Sequence, residues 1–241
     1  ENYLNLKDKD ITMADESEFM IKVCDFALNA VKNPVPFEPK NLGENINTEH
    51  AEYLPSLTAD ENIFIFTKRL PWEGSEYQFQ EDFYVSFKKE GLWQPAISIG
   101  APINTNKNEG AQSLSPDGQY IFFTACNRDD GFGRCDIYVS CLKGASWGIP
   151  VNIGKPINTG KWESQPSISS DGMTIYYSSN RNGSYGKNAE DIWKSDLLES
   201  GEWGLPENMG PEINTSKSEQ SPFIHPDNQT LYFSSDGHQG M

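Results

Sequence analysis

The sequence predicts an all-β protein, a β-propeller of four-stranded antiparallel blades preceded by one amphipathic helix. The main observation is an internal repeat that aligns without a gap at 44–67, 101–124, 155–178 and 211–234. The Ile-Asn-Thr triplets of the repeats begin at Ile46, Ile103, Ile157 and Ile213, a period of 54 to 57 residues. One propeller blade has about this length. Composition agrees, because 12% aromatics with 20 Gly and 15 Pro suit neither a disordered chain nor a helix bundle.

Residues 1–35 are predicted to be an N-terminal segment that contains one helix over residues 13–32. The apolar residues Phe19, Val23, Phe26 and Val31 follow helical spacing. Asp15 or Ser17 can cap the start, and the Asn-Pro pair after residue 32 ends the helix. We expect this helix to pack on a neighbouring element.

Residues 36–241 are predicted to form the propeller, which is incomplete in this chain. Each full repeat has four short apolar runs, in the first repeat YLPSLTA, ENIFIFTK, DFYVSFKK and LWQPAISIG, with turn residues between them. The predicted blades are 44–100, 101–154 and 155–210, followed by a partial blade at 211–241. The first strand of each blade should line the channel, and the fourth should lie at the rim. A β-sandwich also has short strands, but it does not require Asp, Trp and Gly to recur in register.

An orphan outer strand is expected at 36–43, before the first blade. Its sequence, PFEPKNLG, resembles the fourth-strand sequence of the full repeats, with Phe37 in place of Trp and Leu42-Gly43 in place of Ile-Gly. Propellers avoid an exposed sheet edge by completing one blade with a strand from the other terminus. We therefore expect this strand to complete a last blade whose inner strands lie beyond Met241.

The charge of the chain excludes some partners. Asp and Glu number 35 against 19 Lys and Arg, so the net charge is −16, which disfavours nucleic acid because phosphate binding rests on Lys and Arg. No run approaches the roughly 20 apolar residues of a membrane helix, so no membrane span is expected in this chain. The sequence gives no indication of oligomeric state.

The cysteines and histidines point to no metal or cofactor. Four cysteines lack a CxxC pair or zinc-like His spacing, although Cys126 and Cys135 bracket one loop and can bond in an oxidising compartment. The three histidines occupy unrelated repeat positions, and no nucleophile, phosphate-loop or dinucleotide motif is present. The sequence therefore predicts no catalytic residues, no cofactor and no metal, and a chain that is not an enzyme.

Two longer segments carry a family resemblance. The run ESQPSISSDGMTIYYSSNRNGSYGKNAEDIWKSDL resembles the TolB-like, WD-like propeller repeat. The run NAVKNPVPFEPKNLGENINTEHAEYLPSLTAD is similar to the propeller of Bacteroidota envelope proteins that also contain tetratricopeptide and OmpA-like domains. The resemblance covers about residues 20–241.

The resemblance implies a scaffold or protein-binding module of a cell-envelope assembly, in some members of secretion or gliding machinery. It implies a periplasmic location, with outer-membrane association through parts absent from this chain, and protein partners in the envelope. It also favours a bonded Cys126–Cys135 pair. The alternative is a propeller enzyme or glycan-binding module that uses the mouth of the channel.

Two groups of residues are candidate sites. One is a ring of carboxylates, each six residues after the triplet isoleucine: Glu52, Glu109, Glu163 and Glu219. The ring can bind a cation or polar ligand at the channel mouth, or its members can hold the scaffold together; we favour the second interpretation because residues common to all blades serve the shared architecture.

The other group lies in the loops between the second and third strands, where the repeats differ. These loops contain aromatic residues: Trp72, Tyr77, Phe79, Phe132 and Tyr185. We expect either a protein-binding surface or ordinary loop packing.

Overall fold

The computed structural model describes residues 11–74 and 78–240. The fold is all-β apart from one N-terminal helix, α1 (Ile11–Lys32). The helix begins two residues before the predicted start and ends ahead of Pro34, which cannot continue it. Several of its large apolar side chains, including Phe19 and Val31, are exposed. No helix in the described residues is long and apolar enough to cross a membrane.

The β-propeller consists of antiparallel sheets that follow one another along the chain. In the first blade the strands are β1 (Ala51–Leu57), β2 (Ile63–Pro71), β3 (Phe79–Lys89), β4 (Leu92–Trp93) and β5 (Ile97–Ser98). In the second they are β6 (Glu109–Leu114), β7 (Tyr120–Cys126), β8 (Cys135–Lys143), β9 (Ser146–Trp147) and β10 (Val151–Asn152). The third has β11 (Glu163–Ile168), β12 (Thr174–Ser179), β13 (Asp191–Asp196) and β14 (Glu207–Asn208), and the partial fourth has β15 (Glu219–Ile224) and β16 (Leu231–Ser235).

The fourth strand of a blade is interrupted. β4 and β5 both pair with β3, and β9 and β10 both pair with β8. A proline lies between the two pieces, Pro95 in the first blade and Pro150 in the second, and proline lacks the N–H that a continuous ladder requires. The rim of each of these two blades is therefore made of two short strands where one was predicted.

Residues 36–43 differ from the predicted outer strand. They form no strand, and Phe37 is 82% exposed. The physical reason is that a strand needs a hydrogen-bonding neighbour, and none pairs with these residues in the part of the chain that the structure describes. The predicted pairing with strands beyond Met241 stays a prediction.

Each first strand contains a bulge at the same repeat position. The register between first and second strands shifts between Tyr53 and Ser56 in the first blade, and at the equivalent positions in the others. The central residue of each bulge has a positive φ between 49° and 57°. These residues are Leu54, Ala111, Gln165 and Ser221. Such bulges bend a strand locally, so all four first strands bend at one level.

An asparagine clamp joins each blade to the next. Asn158, from the Ile-Asn-Thr triplet of the third repeat, accepts the N–H of Ile137 through Oδ1 at 2.9 Å. Its Nδ2 donates to the carbonyl oxygen of the same residue at 2.8 Å. Asn104 holds Phe83 in this way, and Asn214 holds Ile192. One amide side chain thus bonds both backbone groups of a residue in the third strand of the preceding blade, and the carbonyl oxygen of that residue also accepts a backbone N–H of the fourth-strand segment.

The core follows the same repeat. Between the first two blades, the triplet residue Ile103 packs with Phe83 and Phe123, all fully buried. Ile157 occupies the equivalent place beside Ile137 in the next interface. Burial of such side chains contributes about 1.5–3 kcal/mol each, so the triplet isoleucine and asparagine fix successive blades together.

Candidate functional site

One face of the propeller, here called the upper face, carries the loops that differ between blades. Because neighbouring strands are antiparallel, the start of each first strand lies beside the end of the second, as the pairing of Glu109 with Ala125 shows. Within the described residues, the upper face therefore comprises 68–74, 78–81, 125–134 and 179–190 together with the Ile-Asn-Thr segments. The loops that differ between repeats and the exposed aromatic side chains therefore lie on the same face.

In the second blade, a buried carboxylate holds Phe132 in place. Asp136, 1% exposed, accepts the backbone N–H of Phe132 at 2.7 Å through Oδ2, while the phenyl ring is 48% exposed. The ammonium of Lys155 lies 5.7 Å from the ring centroid, a cation–π arrangement. The ring is thus presented to solvent by a loop whose backbone is fixed.

The third blade repeats this device. Asp191 is fully buried and accepts the backbone N–H of Tyr185 at 3.0 Å, and the tyrosine side chain is 50% exposed. Asn208 also donates to this carboxylate, at 2.6 Å. Burial raises the pKa of both Asp136 and Asp191, and the neighbouring carboxylates Glu163 and Glu219 raise them further.

The loop of the first blade is organised differently. Trp72 is 36% exposed and its ring covers Gly74, where an added Cβ would lie 2.8 Å from the indole. Phe79 is half-buried beneath the guanidinium of Arg69, whose Cζ lies 3.4 Å from the ring centroid. Tyr77 lies outside the described residues. Of the five predicted aromatics, Trp72, Phe132 and Tyr185 are therefore exposed, one in each loop.

A disulfide closes the base of the second loop. Cys126 and Cys135 are directly paired residues of β7 and β8, with Cα atoms 4.0 Å apart, and they are bonded. The bond spans nine residues in sequence and encloses the segment that carries Phe132. It therefore restricts the same loop that Asp136 anchors.

Removing this disulfide is expected to destabilise the protein. Replacement of Cys126 and Cys135 with serine should lower the free energy of unfolding by about 2–3 kcal/mol, the loop-closure entropy of a loop of this length. Denaturant unfolding would measure the change. Cys141→Ser, at a free cysteine, is the control, and a reductant should bring the wild type to the stability of the double variant. An unchanged unfolding midpoint would contradict the expectation.

The four ring glutamates are each engaged within their own repeat. Each accepts the backbone N–H and the hydroxyl of the triplet threonine at 2.5–3.2 Å; the pairs are Thr48–Glu52, Thr105–Glu109, Thr159–Glu163 and Thr215–Glu219. Arg128 contacts Glu109 at 3.1 Å, and Arg181 contacts Glu163 at 3.5 Å. Burial nevertheless raises the pKa of Glu109. Hydrogen bonds within the scaffold therefore occupy these carboxylates.

Within residues 11–74 and 78–240, no group of three or more His, Cys, Asp or Glu side chains, the ring glutamates included, is arranged to hold a metal ion. The channel below the ring contains a cavity of about 340 Å³ lined by the bulged first strands, including Leu54, Gln112, Gln165 and Phe223. This lining combines apolar side chains with the amides of two glutamines and the hydroxyls of four serines.

Two carboxylates that occur in single blades, Glu81 and Glu190, contact first-strand segments and were not predicted as site residues from the sequence. Glu81 accepts a hydrogen bond from the hydroxyl of Tyr53, and burial together with this bond raises the pKa of that tyrosine. Glu190 accepts from the hydroxyl of Ser218 at 2.6 Å. Both immediately precede the third-strand aspartate of their blades, where the second blade has Cys135. This difference at one repeat position was the signal that could have revealed them.

Comparisons with known proteins identify the fold. No family model matches the chain, and no curated protein matches it. TolB from Acinetobacter baumannii is structurally similar, with 16% identity, a TM-score of 0.53, and coverage of 83% of this chain and 41% of TolB. An α-L-arabinofuranosidase from Lactobacillus brevis is similar with 16% identity and a TM-score of 0.50, covering 79% of this chain and 67% of the enzyme. This chain thus spans about two fifths of the TolB structure.

The prediction that the chain is not an enzyme is corrected by these comparisons. The prediction rested on missing sequence motifs, but an arabinofuranosidase, an enzyme, shares this fold. Catalytic groups of a propeller come from different blades and lie far apart in sequence, so a search for local motifs cannot exclude them. The comparisons show that this chain has the β-propeller fold found in TolB and in an α-L-arabinofuranosidase.

Proposed function

We propose that this chain is a binding module of a bacterial cell envelope and that its upper face docks a partner protein. The observation that carries the proposal is the presentation of Phe132 and Tyr185. Each ring is about half exposed, while a buried aspartate fixes the backbone N–H of the same residue. Rigid aromatic side chains contribute most to protein interfaces because they bury large areas at small entropic cost.

The disulfide supports the envelope location. A disulfide such as Cys126–Cys135 persists in oxidising compartments, including the periplasm. The resemblance to envelope propellers in repeat sequence points in the same direction, and outer-membrane association is part of the proposal. The net charge of −16 favours partners with a basic or neutral surface.

The test compares two matched variants. Phe132→Ser combined with Tyr185→Ser should reduce capture of a partner from a periplasmic and outer-membrane extract at least tenfold, and should weaken the purified complex by the same factor. The control is Leu205→Ser, which removes an 84% exposed apolar side chain at the rim. Equal binding by the double variant and the control would disprove docking through the upper face.

A second candidate function is glycan binding or hydrolysis at the channel mouth. Glu81 and Glu190 favour it, because both carboxylates lie against first strands and belong to single blades. Glycosidases use a pair of carboxylates. If this candidate is correct, Glu81→Gln or Glu190→Gln abolishes turnover of aryl glycosides, including aryl α-L-arabinofuranosides, whereas loss of the two rings on the loops leaves turnover unchanged.

A further inference from the structure

A groove separates the second and third blades on the face opposite the upper face, here called the lower face. Three turns border it: residues 115–119 and 169–173, which join first and second strands, and residues 197–203, which follow the third strand β13. Its volume is about 650 Å³, within the range of about 300–1,000 Å³ that is usual for ligand pockets. Both walls belong to complete blades, so the groove exists independently of how the propeller closes.

Aromatic side chains line this groove. Tyr120 and Phe122 lie on the same side of β7, because side chains alternate along a strand, and Tyr120 is 45% exposed. The ring of Trp203, from the third blade, meets that of Phe122 edge to face, with the centroids 6.4 Å apart. The faces of such rings attract cations. The groove therefore offers aromatic surface to a positively charged group.

The border of the groove carries negative charge. Asp117 and Asp171 line it and are exposed. Oδ1 of each accepts the hydroxyl of a serine in its own turn at 2.5 Å, and these bonds lower the pKa of both carboxyls. Glu199 and Glu202 lie in the third turn, and none of the three turns contains a lysine or arginine. All charged side chains of the bordering turns are therefore carboxylates.

The equivalent groove between the first and second blades lacks this combination. Its volume is about 390 Å³, and none of the described residues that line it is charged. Ile63 and Ile65 hold the repeat positions of Tyr120 and Phe122. Features found at one blade junction do not serve the architecture that all blades share. The rings and carboxylates between the second and third blades therefore point to a ligand.

The apolar surface next to the groove indicates a polypeptide ligand. Tyr120 and Val139 also line a second depression, which contains Ile149 and Val151. These two side chains are 83% and 62% exposed. An arginine suits the groove itself, because its guanidinium stacks on aromatic rings and pairs with carboxylates while its stem packs on apolar surface. Apolar residues beside that arginine would cover the second depression.

We propose that the groove between the second and third blades binds a segment of a partner protein through an arginine with apolar neighbours. The carboxylates at the border select a basic segment and repel an acidic one. The site lies on the face opposite the aromatic loops, so this proposal does not depend on the proposed function.

The test begins with a random heptapeptide library displayed on phage and selected against the purified full chain. The enriched peptides are expected to contain an arginine next to apolar residues. The most enriched peptide, made with a fluorescent label, should bind at least tenfold more weakly when its arginine is replaced with citrulline, which keeps the shape and removes the charge. This comparison leaves the protein itself unaltered.

Variants of the chain then locate the bound peptide. Asp117→Asn combined with Asp171→Asn should weaken binding at least tenfold, and Tyr120→Leu at least fivefold. Asparagine keeps the Oδ1 acceptor that each turn uses. Asp60→Asn is the matched control, because Asp60 makes the same bonds in the turn of the first blade but lines neither groove. It should leave the affinity unchanged.

Several results would overturn the proposal. These are a selection that enriches no arginine peptide, equal affinity for the citrulline peptide, and an equal loss of binding with Asp60→Asn. Arginine peptides that bind the double aspartate variant as tightly as the wild type would lie elsewhere on this acidic chain and would also contradict it. Self-association in sedimentation that the double variant abolishes would assign the groove to a second copy of the chain instead of a partner.

Discussion

Replacing Asn158 with alanine is expected to lower the free energy of unfolding by about 2–4 kcal/mol. The side chain is fully buried and bonds both the N–H and the carbonyl oxygen of Ile137. Removing it leaves the buried N–H of Ile137 unsatisfied, at about 1–3 kcal/mol. The carbonyl oxygen of Ile137 still accepts the N–H of Ile153 at 3.1 Å, so there the loss is one hydrogen bond of about 0.5–1.5 kcal/mol. Urea unfolding followed by far-ultraviolet circular dichroism would measure the loss.

The chain contains a matched control for this prediction. Asn47 has the same repeat position but is exposed, and its side chain accepts one hydrogen bond from Leu42. Asn47→Ala should therefore cost less than about 1 kcal/mol. Equal losses for the two variants would show that the clamp is not the source of the stability.

A single methyl group at Gly133 is expected to destabilise the protein by about 3 kcal/mol. In Gly133→Ala the new Cβ would lie 2.0 Å from the carbonyl oxygen of Lys161, a backbone atom of the next repeat. The loop and the Ile-Asn-Thr segment would have to separate, and overpacking of this kind costs about 1–3 kcal/mol or somewhat more. Thermal unfolding by calorimetry would detect it.

Gly160→Ala is the control for this variant. Gly160 lies in the same region, but its added Cβ would be 3.9 Å from the carbonyl oxygen of Phe132, an ordinary contact. Its melting temperature should be close to that of the wild type. If Gly133→Ala were equally stable, the close approach of loop and segment would not exist in solution.

The blades could be predicted from the sequence because many of the repeated residues make their contacts within their own repeat. The aspartates at the turns between first and second strands, such as Asp117 and Asp171, accept hydrogen bonds from their own turns, so a single repeat contains the whole signal. The interruption of the rim strand could also have been predicted, since Pro95 and Pro150 lie in the predicted run. The predicted strand at 36–43 differs because pairing depends on a neighbour that sequence periodicity does not provide.

The candidate site was less predictable, for a physical reason. The aromatic loops could be found because they break the repeat, and Phe132 and Tyr185 are exposed as a binding surface requires. The hydrogen bonds that fix these loops join a third-strand aspartate to a backbone N–H four or six residues earlier, and backbone donors leave no mark in a sequence. Glu81 and Glu190 could have been noticed at the repeat position where the second blade has Cys135, but the sequence does not show their hydrogen bonds to Tyr53 and Ser218.

The asparagine clamp has a consequence for how such a chain can change by duplication. The clamp holds the third strand through main-chain atoms only, so it accepts Phe83 as readily as Ile137 or Ile192. Its Nδ2 also donates to a polar side chain of the preceding blade, which is Ser98, Asn152 or Asn208. A duplicated repeat brings its own asparagine, third strand and polar partner for Nδ2, so copies of the repeat fit one another without compensating substitutions. Blade number and loop sequence can therefore vary independently, and new surfaces can arise in one copy while the joints between copies stay the same.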